Sequence, residues 1–151
     1  MTASLVLPFS GNFQVTFKFG AYPRQDEIKR LYKLRRLKGH EGVDFGLPSG
    51  TGVLSCSAGI IEEAAENDDY GLCIIIRHRW GISLYGHLSE VKVAEGQRVK
   101  SGQIIGLSGA SGFVTGPHLH FGIRLKGADL KNGFLGFSDP MPYFKNQGRN
   151  R

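Results

Sequence analysis

Four of the chain's five histidines fall in three short motifs: His40-Glu-Gly-Val-Asp44, Tyr85-Gly-His87-Leu-Ser89 and Gly116-Pro-His118-Leu-His120. The first pairs an imidazole with a carboxylate four residues on, and the last sets two imidazoles two apart. On an extended strand, positions two or four apart share a side, so each pair can converge on one point without a helix. Two imidazoles and one carboxylate make an open zinc site with a position left for water. Two further histidines then stand beside the metal, free to move protons. The implied chemistry is hydrolysis by a metal-activated water. Each residue also has a plainer reading. His40 could be a turn histidine with Asp44 a cap, His120 a satisfied core imidazole between Leu119 and Phe121, and His87 a strand-end hydrogen-bonder. It is the three motifs together that make coincidence improbable. His78 follows Ile74-Ile-Ile76 and precedes a turn, and reads as structural.

Strands must carry these residues. Glycine fills 22 of 151 positions, and 40% of residues are hydrophobic. That combination suits many tight turns around a real core, in one domain spanning 1–151. The pattern predicts an all-β fold with strands at Leu5–Phe9, Asn12–Phe19, Val43–Leu47, Gly52–Ser57, Gly59–Glu66, Leu72–His78, Ile82–His87, Arg98–Val99, Ile104–Ser108 and His118–Leu125. Asn67-Asp-Asp-Tyr-Gly71 and Arg79-Trp-Gly81 read as hairpin turns between antiparallel strands. One short helix, about residues 25–37, interrupts the pattern. Asp26 and Glu27 lead it, Arg35, Arg36 and Lys38 close it, and Gly39 is the expected stop. Its basic run reads as a solvated face. The tail, 126–151, is expected to wrap the surface. Trp80 sits in a turn, where packing and exposed sugar stacking are equally open. Tyr85 reads as packed and Arg124 as solvated.

The formal net charge of +6 draws the chain toward polyanions, with nucleic acid and the anionic bacterial wall as candidates. No aromatic-basic motif supports nucleic acid. Cys56 and Cys73 make no disulfide framework. They lie on adjacent predicted strands, so a bridge is possible, but free buried thiols are favoured. No signal peptide and no membrane-spanning run is visible.

In this order the motifs resemble those of the lysostaphin-like, LytM-type zinc metallopeptidases that cut bacterial peptidoglycan. The likeness extends to Phe19-Gly20, Pro48-Ser-Gly-Thr-Gly-Val53, Tyr70-Gly71, Val93-Ala-Glu-Gly96-Gln97, Val99-Lys-Ser-Gly102-Gln103-Ile-Ile-Gly106 and His118-Leu-His120-Phe121, and covers a core of about residues 5–125. It implies a small antiparallel β-sheet or half-barrel with a groove, and one zinc ion held by His40, Asp44 and His120. His118 and His87 become the proton-handling pair; the place of His118 one residue from His120 in the chain's tightest motif assigns it the general base and leaves His87 to orient water, with the exchanged roles as the alternative. It implies a monomeric endopeptidase that cuts cross-bridge or stem peptides at the bacterial cell wall, with electrostatic contact to anionic wall polymers. A phage-encoded or virion-associated lysin fits, as does a mature extracytoplasmic fragment. The helical segment 24–38 is longer than the loop the family leads one to expect there, and lies beside the groove. The alternative is a non-catalytic LytM-type module that binds wall or activates an amidase. A weaker one is a biotinyl- or lipoyl-like carrier, suggested by residues 95–106.

Overall fold

The apolar run Leu72-Cys-Ile-Ile-Ile76 is short and β-branched, and it forms an interior strand of the main sheet. The computed structural model describes residues 2–112 and 116–145. Its elements, in chain order, are β1 (Val15–Phe17), helix α1 (Asp26–Leu34), β2 (Val43–Phe45), β3 (Gly52–Leu54), β4 (Gly59–Asn67), β5 (Gly71–His78), β6 (Gly81–Gly86), β7 (Leu88–Val91), β8 (Arg98–Val99), β9 (Ile104–Ser108), β10 (Leu119–Leu125) and β11 (Phe137–Ser138). The main sheet runs β1-β2-β10-β6-β5-β4-β8, with β11 also paired to β10, and β3-β9-β7 make a smaller sheet. The strand pairs described are all antiparallel, so the all-β expectation holds, with both hairpin turns in place.

A period of two sorts the main sheet into faces. Val43 and Phe45 on β2, Tyr85 on β6, and Leu119, Phe121 and Ile123 on β10 pack into one core with Val53, Leu88 and Ile105 from the smaller sheet's side. Asp44, Gly86 and His120 alternate with them and face away. On that outward face a second cluster forms from Tyr70, Cys73, Leu84 and Phe137. Cys56 and Cys73 are buried and unbridged, as favoured, and burial pushes the Cys56 thiol up to about 11.

Five expectations change. Leu5–Phe9 forms no regular strand, because Pro8 has no N–H to continue a ladder; the segment is tied instead by Val6 N–H to Cys56 O at 2.9 Å and Leu54 N–H to Pro8 O at 2.8 Å. Only Val15–Phe17 of the expected Asn12–Phe19 strand pairs, against β2. The helix ends at Leu34, not near Gly39. Arg36 takes a left-handed φ of 58° and Leu37 N–H closes onto Tyr32 O at 2.8 Å, a Schellman-type stop without glycine. Gly39 instead lets two loops touch, since a Cβ there would lie 2.3 Å from the Gly20 carbonyl oxygen. β7 and β11 were not foreseen, and β11 shows that the tail joins the main sheet.

His78 is structural, as expected. Its Nδ1–H donates to Ala58 O at 2.7 Å, and its Nε2 accepts from the Ser83 hydroxyl at 2.7 Å. Ser83 in turn accepts from Tyr85, whose oxygen takes the Cys56 N–H at 3.0 Å. Each donor in this buried chain has one acceptor. Trp80 stacks on the His78 ring at 4.5 Å and is buried, which decides for packing over sugar stacking. Burial holds the His78 pKa below its ordinary value, against the pull of the Ala58 carbonyl. The unfolded chain therefore binds the proton more readily. The stability contributed by the neutral ring is full above about pH 6.5 and is lost as pH falls below it. We expect the urea midpoint to drop from about pH 7 to about pH 5, and to drop less in His78→Gln, whose amide does not titrate.

Candidate metal centre and active-site groove

β10 lies between β2 and β6, and its first turn of register sets the site. His120 stands opposite Asp44 on one neighbour and opposite Gly86 on the other. His40 precedes β2, His87 follows β6, and His118 precedes β10, where it bridges to Gly109. All five side chains singled out by sequence thus gather at one end of three adjacent strands.

His40 arrives by a different route from the one expected. Residues 41 and 42 bend instead of extending, so the pair with Asp44 meets through a turn rather than through strand alternation. Glycine is required at 42: a Cβ there would lie 2.6 Å from the Phe121 carbonyl oxygen and 2.8 Å from the His120 ring. His87 also departs from regular strand. Its φ of 61° turns the ring out to the groove, while Tyr85 two residues earlier is fully buried in the core. The two therefore do not share a face.

His40 Nε2, His120 Nδ1 and Asp44 Oδ1 form a triangle with sides of 3.1, 3.1 and 3.3 Å. Atoms bound to one tetrahedral zinc at ~2.0 Å stand ~3.3 Å from one another. The His40 Nδ1–H donates to Lys18 O at 3.3 Å, which leaves the lone pair on Nε2, toward the triangle. Two imidazole nitrogens and a carboxylate oxygen at these separations crowd lone pairs that one divalent cation satisfies together. The donor set therefore fits a divalent metal. With Nδ1 turned to the triangle, His120 Nε2 is buried and has no hydrogen-bond partner among the described residues.

The electrostatics favour positive charge at this point. Burial pushes the Asp44 carboxyl up, but the adjoining His120 and His40 imidazoles hold it well below the usual carboxylate range. Burial opposes charge on His120, while Asp44 and Glu41 raise its pKa. At His87, burial and the neighbouring His120 push the pKa down to about 4.

His118 Nε2 lies 3.5 Å from Asp44 Oδ2, and its Nδ1–H donates to Gly116 O at 3.0 Å. His87 Nδ1–H donates to Ser111 O at 2.8 Å. Both rings are thus anchored through Nδ1 with Nε2 left as an acceptor, and their centroids are 4.9 Å apart.

Sequence reasoning missed a buried support beneath the triangle. Arg35 pairs with Glu41 at 3.0 Å and donates to the Tyr70 hydroxyl at 2.8 Å, while that hydroxyl donates to Glu41 at 2.8 Å. The Tyr70 ring stacks on His120 at 5.2 Å, in space that Gly86 leaves open. Glu41 sits inside the first motif, and a glutamate flanked by His40 and Gly42 was the available signal. Arg35 had none, since the basic run it belongs to reads as solvated. The Glu41 side chain is 3% exposed and that of Arg35 20%. Removing one partner of a fully buried pair costs ~3–5 kcal/mol, and the partial exposure of Arg35 brings this to ~2–3 kcal/mol. We expect Arg35→Met to lower the unfolding free energy measured by urea titration by that amount, and Arg35→Met/Glu41→Gln to recover much of it.

A groove of about 1130 Å³ opens over these residues. His40, Asp44, His87, His118 and His120 line it, with most of the remaining wall from α1 and its flanks (residues 22–35) and the β4–β5 turn (68–70). The helical segment thus does border the groove.

A triangle of donors that could hold a metal ion, at the strand ends of an antiparallel sheet with two anchored imidazoles beside it, fits a metal-dependent hydrolase. The profile described as Peptidase family M23 matches residues 38–132, and the chain belongs to that family of metallopeptidases. The catalytic domain of lysostaphin from Staphylococcus simulans superimposes with a TM-score of 0.72 at 34% identity, over 87% of this chain and 92% of that one. A zinc-containing peptidase from Vibrio cholerae gives 0.74 at 30% identity, over 93% and 40%. Among curated proteins, the DD-carboxypeptidase/endopeptidase Mpg of Neisseria meningitidis is 42% identical over 89 residues, 58% of this chain and 20% of Mpg. The glycyl-glycine endopeptidase ALE-1 of Staphylococcus capitis is 39% identical over 124 residues, 72% of this chain and 30% of ALE-1. The chain thus spans under a third of the length of these two curated relatives.

Proposed function

We propose that this chain is a zinc endopeptidase that hydrolyses peptide bonds of bacterial peptidoglycan, with His40, Asp44 and His120 as the zinc ligands. The observation that carries the reading is the donor triangle of 3.1–3.3 Å on the groove floor. Relatives named as peptidoglycan DD-endopeptidase and glycyl-glycine endopeptidase support the substrate class, and with it action at the cell wall. The zinc-containing structural neighbour supports the metal.

When bound, zinc supplies a water of lowered pKa and polarises the scissile carbonyl. The chain's own residues do the rest. His118 keeps Nδ1–H on Gly116 O, so Nε2 takes the water's proton and returns it to the leaving amine. The nearby Asp44 Oδ2 steadies the imidazolium formed on the way. His87 stays neutral over the physiological range, and its Nε2 accepts a hydrogen bond that orients the attacking water. The groove holds the substrate peptide across this point.

Digestion of defined muropeptides, with mass analysis of the fragments, tests this. Peptide cleavage should stop on chelation and return with zinc. Cleavage by rigorously metal-free protein would overturn the proposal.

A further inference from the structure

A second concavity, of about 1020 Å³, lies at the far end of the same strands. β10 and β6 run from His120 and Gly86 at the metal end to Leu125 and Gly81 at this one. Five residues at ~3.3 Å each put ~17 Å between the two sites. The β5–β6 hairpin brings Arg77 and Arg79, β8 and its flank bring Arg98 and Lys100, and the end of β10 brings Arg124 and Lys126. Almost a third of the chain's 19 Lys and Arg line this surface, and none of its 13 Asp and Glu does. All but Arg124 are exposed. Arg77 alone of the six is in an ion pair among the described residues, with Glu62 at 3.7 Å. Arg124 is fixed in place by its Nε–H to Leu135 O at 3.0 Å and by its guanidinium 4.6 Å from the Phe137 ring centre.

Six cations drawn from three separate segments repel one another, and concave walls of low dielectric focus their field. The arrangement is costly unless something anionic enters. The shape narrows what that is. Trp80 is buried against His78, and among the described residues no Phe, Tyr or Trp lines the concavity, so it offers no such aromatic platform for bases. A concavity also suits a thread better than a flat bilayer. We propose that this groove binds a flexible phosphodiester polymer of the cell-wall type, with successive backbone phosphates meeting the six cations. Bound there, the polymer holds the protein on the wall while the metal groove stays open at the opposite end. That use rests on the peptidase reading; the binding itself does not.

The test is equilibrium binding of the full chain to purified poly(glycerol phosphate) over a range of salt. For wild type, log K should fall against log salt with a slope of about −4, the value for six contacts on a single-stranded polyanion. Arg98→Gln/Lys100→Gln/Lys126→Gln should bind at least ~10-fold more weakly, with the slope reduced by ~2. Lys29→Gln/Lys33→Gln/Lys145→Gln removes equal charge elsewhere and should stay within ~2-fold of wild type. An independent double, Arg77→Gln/Arg79→Gln, shares no position with the triple and should lose in proportion, which guards against a folding defect in the triple. Cleavage of a small soluble muropeptide should be unchanged in every groove variant, so a failure of this proposal is separable from a failure of the peptidase reading. Equal losses in the two triples would reduce the effect to net charge and overturn it. So would the absence of saturable binding by wild type. Tighter binding of single-stranded DNA of equal charge, lost in the same variants, would overturn the assignment to a base-free polymer.

Discussion

His120→Ala should lose its metal and its peptidase activity together. Nδ1 of His120 is one corner of the triangle, 3.1 Å from both of the other donors. Its removal leaves one imidazole and one carboxylate, too few donors for a structural or catalytic zinc site of the usual kind. The change also opens space beneath the Tyr70 ring and leaves buried Asp44 without one of the two imidazoles that hold it ionised. Metal content measured after dialysis should fall from one ion per chain to near zero, and kcat/KM should fall by at least ~10³, about 4 kcal/mol of transition-state stabilisation. A thermal readout is independent of turnover. Zinc at 100 times its Kd stabilises a folded protein by ~2.7 kcal/mol, so zinc should raise the Tm of wild type and leave that of His120→Ala unmoved. Asp44→Asn tests the charge separately, because the amide keeps the shape and should still lose most of the metal. A His120→Ala protein that retains a full equivalent of zinc would remove the metal centre from the place we assign it.

The parts of this molecule that follow a local rule were legible, and the parts made by distant segments were not. Leu119, Phe121 and Ile123 alternating with His120 announce a strand with one core face and one functional face, and β10 has that form. The two hairpins are written in Asn67–Gly71 and Arg79–Gly81, where polar and glycine residues interrupt apolar runs. By contrast, Leu88-Ser-Glu-Val91 has little β propensity of its own. It is a strand because β9 offers it a ladder, which is tertiary context overriding a weak local preference. The meeting of His40 with Asp44 was foreseen from spacing, yet the mechanism differs. A five-residue strand from His40 to Asp44 would point both side chains one way, whereas the chain bends at Glu41–Gly42, where only glycine clears the Phe121 carbonyl. Arg35 was the least legible of all. Its sequence neighbours are the lysines and arginines of a basic helix end, and only the folded arrangement brings it to Glu41 and Tyr70. A buried glutamate demands a cation, but a sequence does not say which one answers.

The separation of binding from proton transfer gives the second large effect. His118→Gln should keep its zinc and lose turnover, with kcat down ~10²–10⁴ and KM little changed. His118 is not a corner of the triangle. It touches Asp44 through the other carboxylate oxygen, at 3.5 Å, and a glutamine amide can replace that contact without accepting a proton at the same point. Losing a group that orients a ligand lowers metal affinity ~10–100-fold, so the assay is run with zinc in excess and metal content is measured alongside. His87→Gln provides the contrast. Burial and His120 hold the His87 pKa near 4, which makes it a poor sink for a proton at neutral pH, and its anchored Nδ1–H leaves Nε2 to position water. Its loss should cost less in kcat than the loss of His118, measured in the same zinc-saturated assay. A larger loss of kcat in His87→Gln than in His118→Gln would exchange the two roles.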